Sequence, residues 1–176
     1  MPEKRNIIRV ALIFVLLATS LACPRVNKHV NKNIGYEIVG PWNWHVYSSL
    51  NGGVEFSKYN WKAYGNSTIN IFIDSLHSWT PTPLEYLKDI YLPGVKILFK
   101  ETDDFSIRPI AEPFALEKDG RIWATVKYWS GRDSLQDVYI TFSRKNVFIV
   151  CLNSVGSGHI EDVKLFLRAL GTLKIY

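Results

Sequence analysis

Two clusters in this 176-residue chain have side chains that can do chemistry, and neither has the arrangement that the chemistry needs. The run Asp74-Ser75-Leu76-His77 holds an acid, a hydroxyl and an imidazole, which are the groups of a hydrolytic site. A hydrolase takes these groups from separate elements around an oxyanion hole, so one local stretch indicates the end of a strand instead. Asp103 and Asp104 are suitable calcium ligands, but no further loop carboxylates follow at ligand spacing, and the pair indicates a solvated loop.

The histidines and cysteines also lack the spacing of a metal or redox site. The chain has two cysteines and no Cys-x-x-Cys motif, and Cys151 stands in an apolar run typical of a small buried residue. The four histidines are scattered without ligand spacing: His29, His45, His77 and His159. The sequence therefore predicts no catalytic residue, no metal site and no cofactor.

Cys23 is a candidate for lipid modification because of the residues that precede it. Three Lys or Arg residues in the first nine positions lead into the apolar run 10–18, and Ser20-Leu21-Ala22 stands directly before Cys23. A basic start, a short apolar segment and small residues before the cleavage site are typical of an export signal. The segment also resembles a bacterial lipoprotein signal, in which the peptidase cuts before a cysteine that carries a diacylglycerol. We predict a signal peptide over residues 1–22 and lipidation at Cys23.

Two other fates of this segment stay open. Ser20 stands where a lipoprotein signal usually has Leu, and Ser20-x-Ala22 also suits the ordinary signal peptidase, which would release a soluble secreted protein. The other alternative is an uncleaved anchor. A membrane-spanning helix needs about 20 apolar residues, whereas residues 10–22 supply thirteen, interrupted by Thr19 and Ser20.

The rest of the chain carries a small positive charge. The full sequence has a net charge of +5, and removal of the signal takes away three basic residues and one acidic residue, which leaves +3. This surplus suits anionic lipid headgroups but does not form the clustered basic stripe of a nucleic-acid-binding protein. We therefore expect membrane contact through the N-terminal lipid, an envelope protein as a further partner, and no nucleic acid. The sequence patterns do not indicate which oligomeric state the protein has.

Composition divides the exported part of the chain into a tether and one domain. Residues 23–34 are polar and have little to bury, so they predict a lipidated, flexible tether. Residues 35–176 are numerous enough for a single domain with its own hydrophobic core. We expect this domain to lie in the cell envelope, outside the cytoplasm.

Hydrophobic periodicity predicts an α+β fold with a mostly antiparallel sheet. The run 147–152 is apolar at nearly every position, which is typical of a central strand covered on both faces. The other predicted strands alternate with a period of two: 35–39, 44–48, 54–58, 66–74, 121–129 and 136–144.

Two helices are expected to cover this sheet. The first begins at Pro83 with Thr82 as its N-cap, and Pro93-Gly94 is expected to stop it after Leu92. The second carries an apolar stripe from Ile160 to Leu170, and Gly171 is the expected C-terminal cap. Strands, helix, strands and helix in this order favour a sandwich of sheet and helices.

Tryptophans are the remaining candidates for a binding surface. The chain has six tryptophans, and Trp123 and Trp129 fall on the same face of one predicted strand. Exposed indoles can stack on sugar rings or form a protein contact, while buried indoles simply pack on a pleated sheet. We take Trp123 and Trp129 as candidate ligand-binding residues, with packing as the alternative.

The start of the predicted domain resembles a known group of domains. Gly35-Tyr36-Glu37-Ile38, followed by Pro41 and Trp44-His45-Val46, is similar to the opening of PsbP-like and DcrB-like domains, and the closing strands and helix are similar too. That group includes extrinsic assembly proteins of photosynthetic membranes and bacterial envelope lipoproteins. The resemblance implies a non-catalytic binding or assembly domain and transfers no site residue. The alternatives are a glycan or small-ligand binding module and an unrecognised hydrolase.

Overall fold

A computed structural model describes residues 26–59, 66–76, 82–98, 107–131 and 133–176. The predicted signal peptide and Cys23 lie outside the described residues, as do His77, Asp103 and Asp104. Within the described ranges, no helix has both the length and the apolar character that crossing a bilayer would require.

The described residues form eleven strands in two antiparallel sheets. The small sheet has the order β1-β2-β11, and the large sheet has the order β3-β4-β5-β10-β9-β8-β6, with β7 also paired to β8. The strands are β1 (Asn27–Asn31), β2 (Tyr36–Gly40), β3 (His45–Ser48), β4 (Val54–Ser57), β5 (Thr68–Ser75), β6 (Ile107–Pro109), β7 (Phe114–Lys118), β8 (Arg121–Ser130), β9 (Ser134–Phe142), β10 (Asn146–Val155) and β11 (Lys174–Ile175).

Two helices pack on this framework, as the sequence predicts. Helix α1 spans residues 83–98 in three consecutive parts: an α-helical turn, Pro83–Tyr86, a wide π-helical turn, Leu87–Tyr91, and a second α-helical part, Leu92–Leu98. Helix α2 is His159–Thr172. The mostly antiparallel α+β fold is therefore confirmed.

Strand β10 lies at the centre of the large sheet, between β5 and β9, and is covered on both faces. On one face, Phe148 and Leu152 belong to a core that includes Phe166 of α2 and Tyr36 of the small sheet. On the other face, Ile149 and its neighbours belong to a second core beneath α1. The odd-numbered and the even-numbered residues of β10 are thus both apolar because the strand is buried between two helical layers.

Proline 93 does not stop helix α1, contrary to the prediction. The N–H of Leu92 donates to the carbonyl oxygen of Leu87, which makes the turn before Pro93 wider than an α-helical turn. Pro93 then occupies the start of the part Leu92–Leu98, where a missing N–H is tolerated. The helix consequently extends to Leu98, six residues beyond the predicted end at Leu92.

The C-terminal end of α2 also differs from the prediction, since Gly171 lies inside the helix and not at its cap. The Thr172 hydroxyl donates to the carbonyl oxygen of Ala169 over 2.7 Å and accepts from the N–H of Val39 over 2.8 Å. The helix therefore ends where a side chain joins it to β2, and a left-handed glycine is not needed.

The tether predicted over residues 23–34 is wrong for its described part, because Asn27–Asn31 form strand β1, paired along its length with β2. The Nδ2 atom of Asn27 donates to the carbonyl oxygens of Pro41 and Trp44, each over 2.6 Å. Glu37 on β2 accepts from Lys28 Nζ at 2.8 Å and Lys174 Nζ at 3.1 Å, and these bonds lower the pKa of Glu37 to about 2. A polar segment can thus form an edge strand, because its stability comes from backbone pairing and charge.

A buried carboxylate ties α2 to the large sheet. The side chain of Asp162 is 0% exposed; its Oδ1 accepts from Lys58 Nζ at 2.8 Å and its Oδ2 from the Ser154 hydroxyl at 2.8 Å. Burial alone raises the pKa of Asp162, but hydrogen bonds from Lys58, Ser67 and Ser154 outweigh burial and lower the pKa below its ordinary value. The ionised form therefore stabilises the fold.

We expect Asp162→Asn to lower the free energy of unfolding at pH 7 by about 1.5–3 kcal/mol, because it removes charge-assisted hydrogen bonds in a buried place. Since the folded-state pKa is lowered, this contribution is complete above the unfolded-state pKa and is lost as pH falls through the folded-state value. Urea unfolding between pH 7 and pH 3 should therefore show a difference in the free energy of unfolding between wild type and variant, and this difference should become smaller below about pH 4.

The matched control is Glu161→Gln, which changes the neighbouring acidic residue, whose side chain is exposed beside Lys164. Its effect should stay within about 0.5 kcal/mol at every pH. Equal destabilisation by the two variants would contradict the role given to Asp162.

Candidate functional site

A cavity lies between helix α1 and the large sheet, with a volume of about 440 Å³. Strands β5, β8, β9 and β10 supply its floor, and α1 supplies part of its wall. The lining residues are Thr68, Asn70, Phe72, Tyr91, Val95, Tyr128, Ser130, Gln136, Ile149, Cys151 and Asn153.

The floor of the cavity is assembled by strand register. Thr68 on β5 is opposite Asn153 on β10, and Asn153 is opposite Gln136 on β9. Gln136 is in turn opposite Tyr128 on β8. Because residues directly opposite each other in a sheet project from the same face, these four side chains form one row across four strands. The next row includes Asn70 and Cys151, which are also paired.

A hydrogen-bond network fixes the amide groups of this row. The Oδ1 atom of Asn153 accepts from the Ser134 hydroxyl and, over 2.6 Å, from Nε2 of Gln136. The same Nε2 also donates to the Ser134 hydroxyl oxygen at 3.3 Å. The network uses the Gln136 donors and the Asn153 acceptor, so the Gln136 carbonyl oxygen and the Asn153 amide N–H groups are suited to a ligand.

The cavity lining is electrically neutral, since none of its residues is Asp, Glu, Lys, Arg or His. Burial raises the pKa of Tyr128 to about 12, and burial together with the charge of Glu55 raises the pKa of Cys151 to about 12. Burial also raises the pKa of Tyr91, and its hydrogen bond with Tyr128 adds to this rise. The phenols and the thiol are therefore uncharged near neutral pH, and the site favours uncharged ligands.

The two tryptophans predicted to bind ligand lie elsewhere, on the opposite face of the sheet. Trp123 is 4% exposed and packs edge-on against Tyr139 in the core beneath α2, so the expectation of an open indole at this position is corrected. Trp129 is partly exposed, and its ring packs edge-on against His159, with 5.1 Å between ring centroids. Ligand binding through the indoles stays a prediction, and of the two rings only that of Trp129 is partly exposed.

A serine, a histidine and an aspartate do meet in the structure, at the start of α2, although the sequence patterns did not indicate them. The Ser154 hydroxyl donates to Asp162 and lies 3.0 Å from Nδ1 of His159. In a hydrolytic triad the histidine stands between the acid and the serine and accepts the serine proton. Here that proton is directed to the carboxylate, and Ser154 is fully buried, so the cluster has a structural role. In the described ranges, no three His, Cys, Asp or Glu side chains group as metal ligands.

The sequence did contain a signal for the cavity. Asn70, Gln136 and Asn153 are polar residues inside strands whose neighbouring positions on the same face are mostly apolar. Polar side chains at such positions need partners when buried, and so they mark a site or a network. Period-two alternation alone could not show that residues from three strands share one row, since this depends on register.

Comparisons with known proteins establish the fold. No protein-family model and no curated protein sequence matches this chain. The structure is similar to the solution structure of cyanobacterial PsbP (CyanoP) from Synechocystis sp. PCC 6803, with a TM-score of 0.68 and 14% identity over 88% of this chain and 95% of that one. It is also similar to a protein of unknown function from Pseudomonas aeruginosa, with a TM-score of 0.52 and 14% identity over 86% of this chain and 98% of that one. The chain therefore has a PsbP-like α+β fold.

We expect the Cys151 thiol to react with an aromatic disulfide reagent about a hundredfold more slowly in the native protein than in urea at pH 8, because a buried thiol with a pKa of about 12 supplies little thiolate. The measurement uses Cys23→Ser, in which Cys151 is the only thiol. Adding Ser157→Cys, at an exposed turn, supplies a matched thiol that should react rapidly without urea. Equal rates at the two positions would show that the cavity floor is open to solvent.

Proposed function

We propose that this chain is an exported lipoprotein, anchored through Cys23, whose PsbP-like domain is a non-enzymatic module that binds a small uncharged molecule. The observation that carries the binding role is the neutral, partly apolar cavity between α1 and the large sheet. The envelope location and the anchor rest on the order of basic, apolar and small residues before Cys23.

The size and chemistry of the cavity support a small-molecule ligand. Its volume of about 440 Å³ lies within the range of about 300–1,000 Å³ that is usual for ligand sites. Phe72, Tyr91 and Ile149 provide apolar surface, while Gln136 and Asn153 provide one acceptor and one donor at the same edge. A ligand with an apolar or aromatic body and an amide-like polar edge fits this lining best.

The titration behaviour of the lining supports binding rather than catalysis. A general acid or base works best with a pKa near the operating pH. The titratable groups that line the cavity are Cys151 and the two tyrosines, and burial moves their pKa values away from neutrality. The serine–histidine–aspartate cluster offers no activated nucleophile, because the Ser154 hydroxyl donates its hydrogen bond to the Asp162 carboxylate and not to a histidine that could take the proton.

The binding site proposed here replaces the tryptophan surface as the best candidate. An indole that stacks on a sugar ring must present its face to solvent. Trp123 is buried, and the partly exposed ring of Trp129 packs against His159. The cavity, in contrast, offers apolar surface together with polar groups of fixed orientation. An envelope protein partner would then contact a surface outside the cavity.

We expect the membrane fraction of cells expressing the full chain to contain a product that begins at Cys23 and carries acyl chains, because export and lipidation would remove residues 1–22. Intact-mass analysis measures this directly. Cys23→Ser should lose the acyl mass and leave the membrane fraction. An unmodified soluble product from the wild-type sequence would contradict the anchor and leave the binding role to be judged by the cavity alone.

We expect the uncharged fluorophore N-phenyl-1-naphthylamine to bind the protein with saturable, one-to-one enhancement of its emission, since it combines aromatic rings with a single N–H. Thr68 is a partly exposed lining residue and the first residue of β5. Thr68→Phe should weaken binding of the fluorophore by about tenfold or more, because the larger side chain fills part of the cavity. Fluorescence titration measures the dissociation constant of each variant.

The control for this titration is Trp42→Ala, which removes an exposed aromatic residue far from the cavity lining. It should leave the affinity unchanged, and urea unfolding confirms that both variants fold. Affinity that is lost with Trp42→Ala and retained with Thr68→Phe would place the fluorophore on the surface and contradict the cavity as its site.

A further inference from the structure

An apolar hollow lies where the described chain begins. Val26 stands directly before β1, and Pro41 and Trp42 follow β2, so the first strand brings them side by side. Helix α2 completes the hollow with Leu165 and Arg168. The hollow has a volume of about 240 Å³, and we call the surface formed by Val26, Pro41, Trp42, Leu165 and Arg168 the N-terminal patch.

The N-terminal patch exposes apolar side chains that water does not favour. Trp42 is 69% exposed and Val26 is 61% exposed. Arg168, on the same patch, is also exposed. A tryptophan beside a long basic side chain is the combination that proteins place at the level of lipid headgroups, where the indole has an apolar body and a polar N–H.

Strand β1 limits the distance that can separate this patch from Cys23. Asn27 is held by its side-chain bonds to the carbonyl oxygens of Pro41 and Trp44, so Val26 has a defined place on the domain. Cys23 is three residues before Val26. Three residues span at most about 10 Å when fully extended, which is comparable to the thickness of one headgroup layer, about 5–8 Å.

Charge complements this geometry. Arg25 in the connecting segment and Arg168 on the patch are both basic, and no acidic residue lines the hollow. Basic side chains near a membrane surface are attracted to anionic headgroups. A lipid surface is therefore the partner that best fits the N-terminal patch. The position of the proposed anchor, the exposed indole and the local charge all favour it.

We propose that in the lipid-anchored protein the N-terminal patch rests on the bilayer, with Trp42 among the headgroups and Arg168 beside anionic lipids. This inference rests on the proposed anchor at Cys23. It gives the domain a fixed orientation: the turn between β1 and β2, residues 32–35, lies at the far end of that hairpin, roughly 15 Å from the patch.

The test uses the acylated protein, which begins at Cys23, in vesicles of phosphatidylcholine and phosphatidylglycerol that contain a lipid with a nitroxide on its headgroup. Asn43→Cys places a fluorescent label next to Trp42, and Asn33→Cys places the same label in the β1–β2 turn. Both positions are exposed asparagines, so they form a matched pair. Cys151 is buried and Cys23 is blocked by acylation.

We expect the nitroxide to quench the label at position 43 several-fold more than the label at position 33. Adding Trp42→Ala to Asn43→Cys should reduce this quenching, and so should replacing phosphatidylglycerol with the neutral lipid. Equal quenching at the two positions, or stronger quenching at position 33, would overturn the orientation. If the label at position 43 is shielded from a soluble quencher but unaffected by the nitroxide lipid, a protein such as a second copy of this chain covers the patch. That result would also overturn the proposed orientation on the bilayer.

Mass analysis of the same vesicles separates this inference from the proposed anchor. If the protein carries acyl chains at Cys23 and the labels are quenched equally, the anchor stands and the orientation is wrong. If the protein carries no acyl chains at Cys23, the anchor is wrong and the inference that rests on it is overturned as well.

Discussion

Burial of strand β10 on both faces is the constraint on which the rest of the structure depends. Its odd-numbered residues pack beneath α1 and its even-numbered residues pack beneath α2 and the small sheet. Such a strand cannot lie at an edge, because one apolar face would then be exposed. The pairing with β5 and β9 follows from covering this strand, and so do the two helical layers. The position of β2 over the core beneath α2 follows from it as well.

The same arrangement explains why the candidate binding cavity lies on the side of the large sheet that faces α1. Helix α2 and the small sheet together cover one face, with large side chains such as Tyr36, Phe148 and Phe166 fully buried. The other face is covered in the described residues by α1, which lies over the apolar part of the sheet. Polar rows at Asn70 and Asn153 would lose hydrogen bonds beneath an apolar helix, so a space between helix and sheet is compatible with their chemistry.

The sequence predicted correctly the strands and helices that show a local hydrophobic period. The predictions were wrong or missing where contacts between distant residues determine the structure. Strand β10 and helix α2 were correctly predicted because their patterns show which faces are buried. Pro93 was misjudged because a π-helical turn before it depends on packing, and β1 was missed because its polar residues gain stability only by pairing with β2. The cavity could not be predicted, since Thr68, Asn153 and Gln136 meet only through the register of three strands.

Strand β1 bears directly on the proposed lipid anchor at Cys23. A free tether of twelve residues has a root-mean-square length of about 20 Å and would let the domain take many orientations on a membrane. Pairing of Asn27–Asn31 with β2 leaves only two residues, Pro24 and Arg25, between Cys23 and Val26. In the proposed lipid-anchored protein, the lipid would hold one end of the domain close to the bilayer and would bring the side chains around Val26 into contact with headgroups. The ion pair of Glu37 on β2 with Lys28 helps to keep β1 within the domain, so under the proposed anchor it would bear on location as well as on stability.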